Sequence, residues 1–451
     1  MNDIKVISFV VYNNKFNKEG EEEKKIMFYY PENEKLVTKV NNIGLFEALA
    51  QYTSSFYANK PCQLISTERR KYVFHNPEDN YWMVITLAAV NEGVLSNGKI
   101  KYLDDSLKSI YQAVLKSWYG RFCMLYEGFE TLSQSRGMMI LMEKLRRFFK
   151  RQIKEVEEQN CDLLTTYGGL HYKQLSCSNF LEFHSVLCSL QDKVSNIQYC
   201  LAMYDRFMIF SNLDKNNTTN LVSILKSHSS ALQHSRFSRP DQSIGGISTY
   251  QLQHGGRCCL GIFEGSKNCN LIYLNQNKKQ QKLQIIIYKA YNITICLLMD
   301  KLELPFTDTI KKVDAQLGPQ LLTFSTKLQN VSALTAEPAS YSNMQYIHFE
   351  KNSLSVESTC HSFTNSHQNK CIIPRQAMKV ICHLEDIFTE HSLSDDVELI
   401  CKVQNEYWVG AKSNLDQEIF VAGTPKISNL IQFNEEAQKL VSKFDGLSFA
   451  D

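Results

Sequence analysis

Hydrophobic and polar positions along the chain repeat one coarse order three times. In the first round, strand-like runs at Lys5–Tyr12 and Lys25–Tyr30 are joined by the polar stretch NNKFNKEGEEEK, which reads as a hairpin with a long loop. A helix is predicted over 41–56, then strands at Cys62–Ser66, Lys71–His75 and Tyr81–Val90. Apolar residues at helical spacing predict two further helices, Leu103–Tyr126 and Met138–Gln159. The order is β-β-α-β-β-β-α-α. A second round runs through strands at Ile197–Tyr204 and Arg206–Phe210, a helix at Leu213–His228, four strands between Cys258 and Leu298 and a helix at Thr307–Lys327. The third has strands at Gln345–Phe349 and Leu354–Glu357 and a helix at Gln376–Phe388. Three strands between Val397 and Val421 and a final helix at Glu435–Phe444 complete it. These rounds predict domains at 1–160, 194–335 and 336–451, with a connector at 161–193.

The helix NNIGLFEALAQYTSSF is apolar on two sides. Leu45, Ala48, Leu49, Tyr52 and Phe56 share one face, which is expected to cover the neighbouring strands. Ile43, Phe46 and Ala50 form a second patch interleaved with Glu47, Thr53 and Ser54, and a helix lying on a small sheet would turn that patch outward. Such a patch reads either as a surface for another protein or as one covered by a neighbouring segment of the same chain.

The chain has 451 residues, too many for one compact core. Its 43% hydrophobic and 21% charged residues are ordinary for a globular protein, and a formal net charge of +2 gives no reason to expect nucleic acid as a partner. MNDIKVISFV lacks the basic flank of a secretory signal. The longest apolar run, Leu283–Met299, contains Lys289 and polar residues and falls short of a bilayer span. The expected setting is cytoplasmic, with the fourteen cysteines reduced and largely buried.

Few motifs carry covalent chemistry. The sequence holds no Gly-rich loop followed by Lys-Ser or Lys-Thr, no Gly-x-Ser-x-Gly elbow and no His-Glu-x-x-His helix. Cys360, His361, His367 and Cys371 lie close together, with Cys382 and His383 further on, but without the tight Cys-x-x-Cys pairs of structural zinc. No catalytic residue, cofactor or metal is expected. In EKLRRFFKRQIKEVEE the cations Lys144, Arg147, Lys150, Arg151 and Lys154 flank the apolar stripe. They could meet anionic lipid headgroups, although Glu155, Glu157 and Glu158 dilute the charge and favour an ordinary solvated face.

Seven collinear segments carry a family resemblance. They are FVVYNNKFNKEGEEEKKIMFYYPENE, NNIGLFEALAQYT, NPEDNYWMV, CDLLTTYGGL, LGPQL, NEYWVGAKSNLDQEIFV and NLIQFNEEAQKL. Together they resemble the calcium-caffeine-zinc-sensitivity vacuolar fusion proteins from about Phe9 to the C-terminus, with Ser211–Gln281 departing most. The resemblance implies an α+β fold of three longin domains, each a five-stranded, mostly antiparallel sheet flanked by helices. It also implies a heterodimer with a MON-type longin subunit that acts as guanine-nucleotide exchange factor for a late-endosomal Rab GTPase, joined in animals by a propeller-containing third subunit. Recruitment would be peripheral, to late endosome, lysosome or vacuole membranes. Carried onto this sequence, Asn42, Ile43, Phe46, Glu47 and Ala50 are the expected contacts with partner or GTPase, and Arg147, Lys150, Arg151 and Lys154 the possible lipid contacts. A longin-type scaffold or tether without exchange activity is the alternative.

Overall fold

The computed structural model describes residues 4–16, 20, 22–56, 62–67, 70–89, 107–158, 169–173, 175–194, 196–234, 249–251, 257–260, 262–264, 267–269, 271–276, 279–300, 306–334, 344–359, 361–363, 369–371, 375–391, 396–403, 407–423, 427, 429–442 and 444. They form two compact units. One comprises Met1–Tyr119, Gly128–Gly169 and Tyr341–Asp451, the other Gly120–Glu127 and Leu170–Ser340.

The first sheet contains β1 (Ile4–Asn13), β2 (Ile26–Tyr30), β3 (Leu64–Ser66), β4 (Arg70–Glu78) and β5 (Tyr81–Ala89) in the order β2-β1-β5-β4-β3, with every pairing antiparallel. Helix α1 (Leu36–Ser54) joins β2 to β3, and α2 (Leu107–Tyr126), a short α3 (Phe129–Arg136) and α4 (Met138–Glu158) follow β5. Alternation along β1 serves two layers at once. Val10 and Tyr12 join Tyr29, Phe74 and Val84 in the core under α1. Phe9, on the opposite face, meets Trp118 of α2 edge-on at 5.2 Å and Phe149 of α4 at 4.9 Å. A sheet covered on both faces by helices needs this near-continuous apolar run.

The second unit begins with α5 (Cys177–Lys193), within the stretch expected to be a connector. Ser176 caps it by accepting from the Asn179 N–H. Its Phe183, Leu187 and Leu190 enter the core of the second sheet, and Phe183 stacks on Phe324 at 4.7 Å. The segment is therefore part of the domain it precedes, a correction to its reading as connector. Strands β6 (Ile197–Tyr204) and β7 (Phe207–Ser211) lead to α6 (Lys215–His234). Then come β8 (Thr249–Gln251), β9 (Arg257–Leu260), the hairpin β10 (Ile262–Glu264) and β11 (Lys267–Cys269), β12 (Leu271–Gln276), β13 (Lys279–Ala290), β14 (Ile293–Met299) and α7 (Phe306–Leu334). The sheet order is β7-β6-β14-β13-β9-β8, and β12 also pairs with β13, giving seven strands. The long β13 explains the larger number: Gln284–Lys279 pair with β12, while Ile286–Lys289 pair with β9. Inside, the Tyr288 hydroxyl donates to Asp314 Oδ1 at 2.8 Å.

The third sheet belongs to the first unit and repeats the first topology. It consists of β15 (Met344–Glu350) and β16 (Ser355–Ser358), followed after the short hairpin β17 (His361–Phe363) and β18 (Asn369–Cys371) and helix α8 (Arg375–His391) by β19 (Val397–Val403), β20 (Tyr407–Ser413) and β21 (Gln417–Gly423). The order is β16-β15-β21-β20-β19. Helix α9 (Leu430–Val441) covers one face through Phe433, Ala437, Leu440 and Val441, while Phe388 of α8 meets Phe420 at 6.0 Å. The fold class is thus α+β: three antiparallel sheets with helices against them.

Candidate functional site

Helix α1 is the element whose two sides both ask for a partner, and the structure exchanges the roles expected for them. Ile43, Phe46 and Ala50 are buried against the sheet, Phe46 at 1% exposure. The Phe46 ring lies 5.7 Å from Tyr72 and 6.0 Å, edge-on, from Phe74. Outward stand Val37 at 71%, Leu45 at 46%, and Tyr52 and Phe56 at 65% each. The expectation that Ile43, Phe46 and Ala50 face outward is therefore corrected. The physical reason is the sheet surface itself: Tyr12, Tyr29, Phe74 and Val84 leave room for one aromatic flanked by smaller Ile43 and Ala50. The opposite face carries more apolar residues, but its protruding Leu45, Tyr52 and Phe56 find no such recess.

Polar groups at the margins of the core face fix the helix. Asn42 Nδ2 donates to Tyr29 Oη at 2.7 Å, and Lys25 Nζ donates to Glu47 Oε2 at 2.7 Å with both side chains largely shielded. Lys39 donates to the Glu32 carbonyl at 2.7 Å and lies over the Tyr29 ring. Burial, and next the Glu47 charge and the Cys62 thiol, hold the Tyr12 phenol far above its ordinary range. Cys62 is likewise raised by burial and stays a thiol. Asn42 and Glu47, expected as partner contacts, thus sit beside the core and tether α1 to β2 and the turn before it.

This tethering leaves the outward face without charge. Lys39 and Glu47 are the only ionisable groups within Leu36–Ser54 apart from Tyr52, and both are engaged. Along the face run Val37, Asn41, Gly44, Leu45, Ala48, Tyr52 and Phe56, over roughly 28 Å at the helical rise. Tyr52 and Phe56 meet edge-on at 5.0 Å. A Cβ at Gly44 would have nothing within 4 Å. Chemically such a face offers apolar area and shape, with the Tyr52 hydroxyl and the Asn41 amide as its polar groups, which suits a protein–protein contact. The helix and its two apolar sides are legible in the sequence, whereas no local pattern marks which side the aromatic sheet accepts.

On α4, Arg147 pairs with Glu143, and Arg151 Nε lies 3.1 Å from Glu155 Oε1. Lys150 and Arg146 share Glu32 Oε1 at 3.7 Å, and Lys154 is exposed. The expected basic stripe is present with carboxylates spaced through it. Among the described residues no cluster of metal-binding side chains occurs, and no helix is long and apolar enough to cross a membrane. The Cys360–Cys371 cluster lies outside the described side chains.

Three antiparallel sheets, the first and third sharing one strand order and the first presenting an exposed apolar helix face, define a longin-domain protein. The model for the first longin domain of INTU, CCZ1 and HPS4 matches residues 6–127, and that for Intu longin-like domain 3 matches residues 340–440. A vacuolar fusion protein CCZ1 homolog of Nematostella vectensis is 30% identical over 461 residues, covering 99% of this chain and 98% of the relative. The homolog of Xenopus tropicalis is 28% identical with 99% and 97% coverage, and that of Dictyostelium discoideum 23% with 98% and 97%. The chain belongs to the CCZ1 family of vacuolar fusion proteins.

Proposed function

We propose that this chain is a non-catalytic subunit of a membrane-trafficking regulator: with a MON-type longin subunit it forms a guanine-nucleotide exchange factor for a late-endosomal Rab GTPase. The family relationship over nearly the whole chain supports the trafficking role, and the uncharged outward face of α1 is the observation that carries the docking role. Exchange makes and breaks no covalent bond. It requires a surface that holds the nucleotide-free GTPase better than the loaded one, and differential binding alone then shifts the equilibrium toward release. Val37, Leu45, Ala48, Tyr52 and Phe56 take the contact role first expected of Ile43, Phe46 and Ala50, whereas Asn42 and Glu47 hold the helix in place. Recruitment to late endosome, lysosome or vacuole membranes is peripheral, with Arg147, Lys150, Arg151 and Lys154 as an auxiliary lipid contact and a propeller-containing protein as a third subunit. The test is release of labelled nucleotide from the Rab by the chain together with its MON subunit. Acceleration over the Rab alone supports the reading; a stable complex without acceleration leaves a scaffold or tether, and no complex removes both.

A further inference from the structure

The outer edges of the sheets differ in length and cover. Edge strands β2, β3, β8 and β16 have five, three, three and four residues. On the outer side of β7, Lys173 N donates to the Met208 carbonyl and Met208 N to the His171 carbonyl, both at 2.8 Å. The six-residue β12 has Ile272, Tyr273 and Leu274 buried. Strand β19, VELICKV, is longer, and its register with β20 runs without a bulge from Val397 opposite Ser413 to Val403 opposite Tyr407. Among the described residues β20 is its sole sheet neighbour. Folded proteins usually guard such an edge with a proline, a bulge or an inward charge, because its backbone is a template for another strand. The segment has no proline, and Val397, Leu399, Ile400 and Cys401 are each only half-buried.

The charges on β19 are arranged for its own kind. We propose that two copies of this chain associate through β19, pairing antiparallel about Ile400 to join their third sheets into one. In that register Val397 faces Val403 of the second copy, Leu399 faces Cys401 and Glu398 faces Lys402, twice over by symmetry. Glu398 already has Lys412 of β20 at 3.8 Å on its inner side, and Lys402 lies over the Trp408 ring at 5.3 Å. The second copy supplies a cation to the outer side of the one and a carboxylate beside the other. Slipping the copies by four residues instead sets Glu398 against Glu398 or Lys402 against Lys402, so charge disfavours both of those registers. A two-fold axis normal to the sheet also keeps Glu398, Ile400 and Lys402 on one common face.

Sedimentation of the purified full chain over micromolar to tens of micromolar concentration tests the pairing. The wild type is expected to shift from monomer to dimer. Lys402→Glu, which sets like charges opposite at two places, weakens self-association roughly tenfold or more, about 1.4 kcal/mol, with an unchanged melting temperature. Glu398→Lys weakens it likewise, and an equimolar mixture of the two variants restores a dimer because each strand then faces its opposite. If Glu398→Lys lowers the melting temperature by disturbing Lys412, Lys402→Glu beside the neutral Lys402→Gln carries the test alone. A wild type that stays monomeric throughout, as it would if the edge serves an extended segment of another protein, overturns the proposal. So does a Lys402→Glu chain that dimerises as tightly as wild type.

Discussion

Glu78, at the end of β4, caps the helix that begins at Phe129: its Oε1 accepts the Phe129 N–H at 2.6 Å while Oε2 accepts the Glu130 N–H at 2.8 Å. Oε1 also accepts the Tyr119 hydroxyl at 2.6 Å, so one carboxylate binds the β4–β5 turn to α2 and α3. Glycine at 128 permits this approach, since a Cβ there would stand 2.8 Å from Oε1. A negative charge at a helix start is also favoured by the helix dipole.

Glu78→Ala is therefore expected to lower stability by about 1 to 3 kcal/mol, measured by denaturant unfolding, because it removes both the helix cap and the hydrogen bond that Glu78 accepts from the Tyr119 hydroxyl. Glu78→Gln should fall between wild type and alanine, as one amide oxygen replaces two carboxylate oxygens.

The two faces of α1 should separate folding from binding. Phe46→Ala removes a buried aromatic and is expected to cost about 3 to 5 kcal/mol in unfolding free energy. Tyr52→Ala, on the exposed face, should leave melting within about 0.5 kcal/mol of wild type. The same change should weaken capture of the MON-type subunit or the Rab by roughly tenfold or more, as truncation of an interface aromatic does. A Tyr52→Ala protein that matches wild type in pulldown and nucleotide release would remove this face from the proposed contact.

Acid should unsettle the first sheet through His75. Burial, and then the charge of Lys116, press its imidazole from the ordinary 6.5 down to about 4. The native protein prefers the neutral ring, so the unfolded chain binds more protons between these values and stability falls as pH drops through that window. The contribution is fully present above pH 6.5 and is lost toward pH 4, on the order of 2 to 3 kcal/mol. His75→Gln should flatten the pH dependence of the melting temperature between pH 7 and 4.5.

Gly169 leaves no room for a side chain: a Cβ would come within 1.9 Å of Val356 Cγ2 and 2.9 Å of Val356 Cβ. Gly169→Ala is expected to destabilise by about 1 to 3 kcal/mol, and Val356→Ala in the same chain should recover part of the loss, read as non-additivity in a double-mutant cycle.

Much of the fold was legible because patterns were strong. The β-β-α-β-β-β order appears in the alternation of Lys5–Tyr12 and in the apolar spacing of Leu141, Leu145, Phe148, Phe149 and Ile153, all of which α4 buries. Helix α5 carries a sequence signal of its own: Ser176 as cap, then Phe183, Leu187 and Leu190 at helical spacing. The orientation of α1 was not legible, because apolar residues surround it and the deciding factor is the shape left between Tyr12, Tyr29 and Phe74, which no local pattern encodes. The divided edge of β13 was hidden for a related reason. Its length can be read, but which strand pairs with each half depends on distant segments.

The Gly169–Val356 contact closes a long circuit of chain, with all of Leu170–Ser340 gathered into the other unit between its two ends. During synthesis the first sheet is made on the order of ten to fifty seconds before β16 exists. Throughout that interval Gly169 has no Val356 to meet. The first and third sheets can complete their common unit only near the end of translation, after the inserted unit has emerged. The nascent first sheet must therefore survive on its own core, and a premature stop after Ser340 would leave it permanently without the second half of its unit.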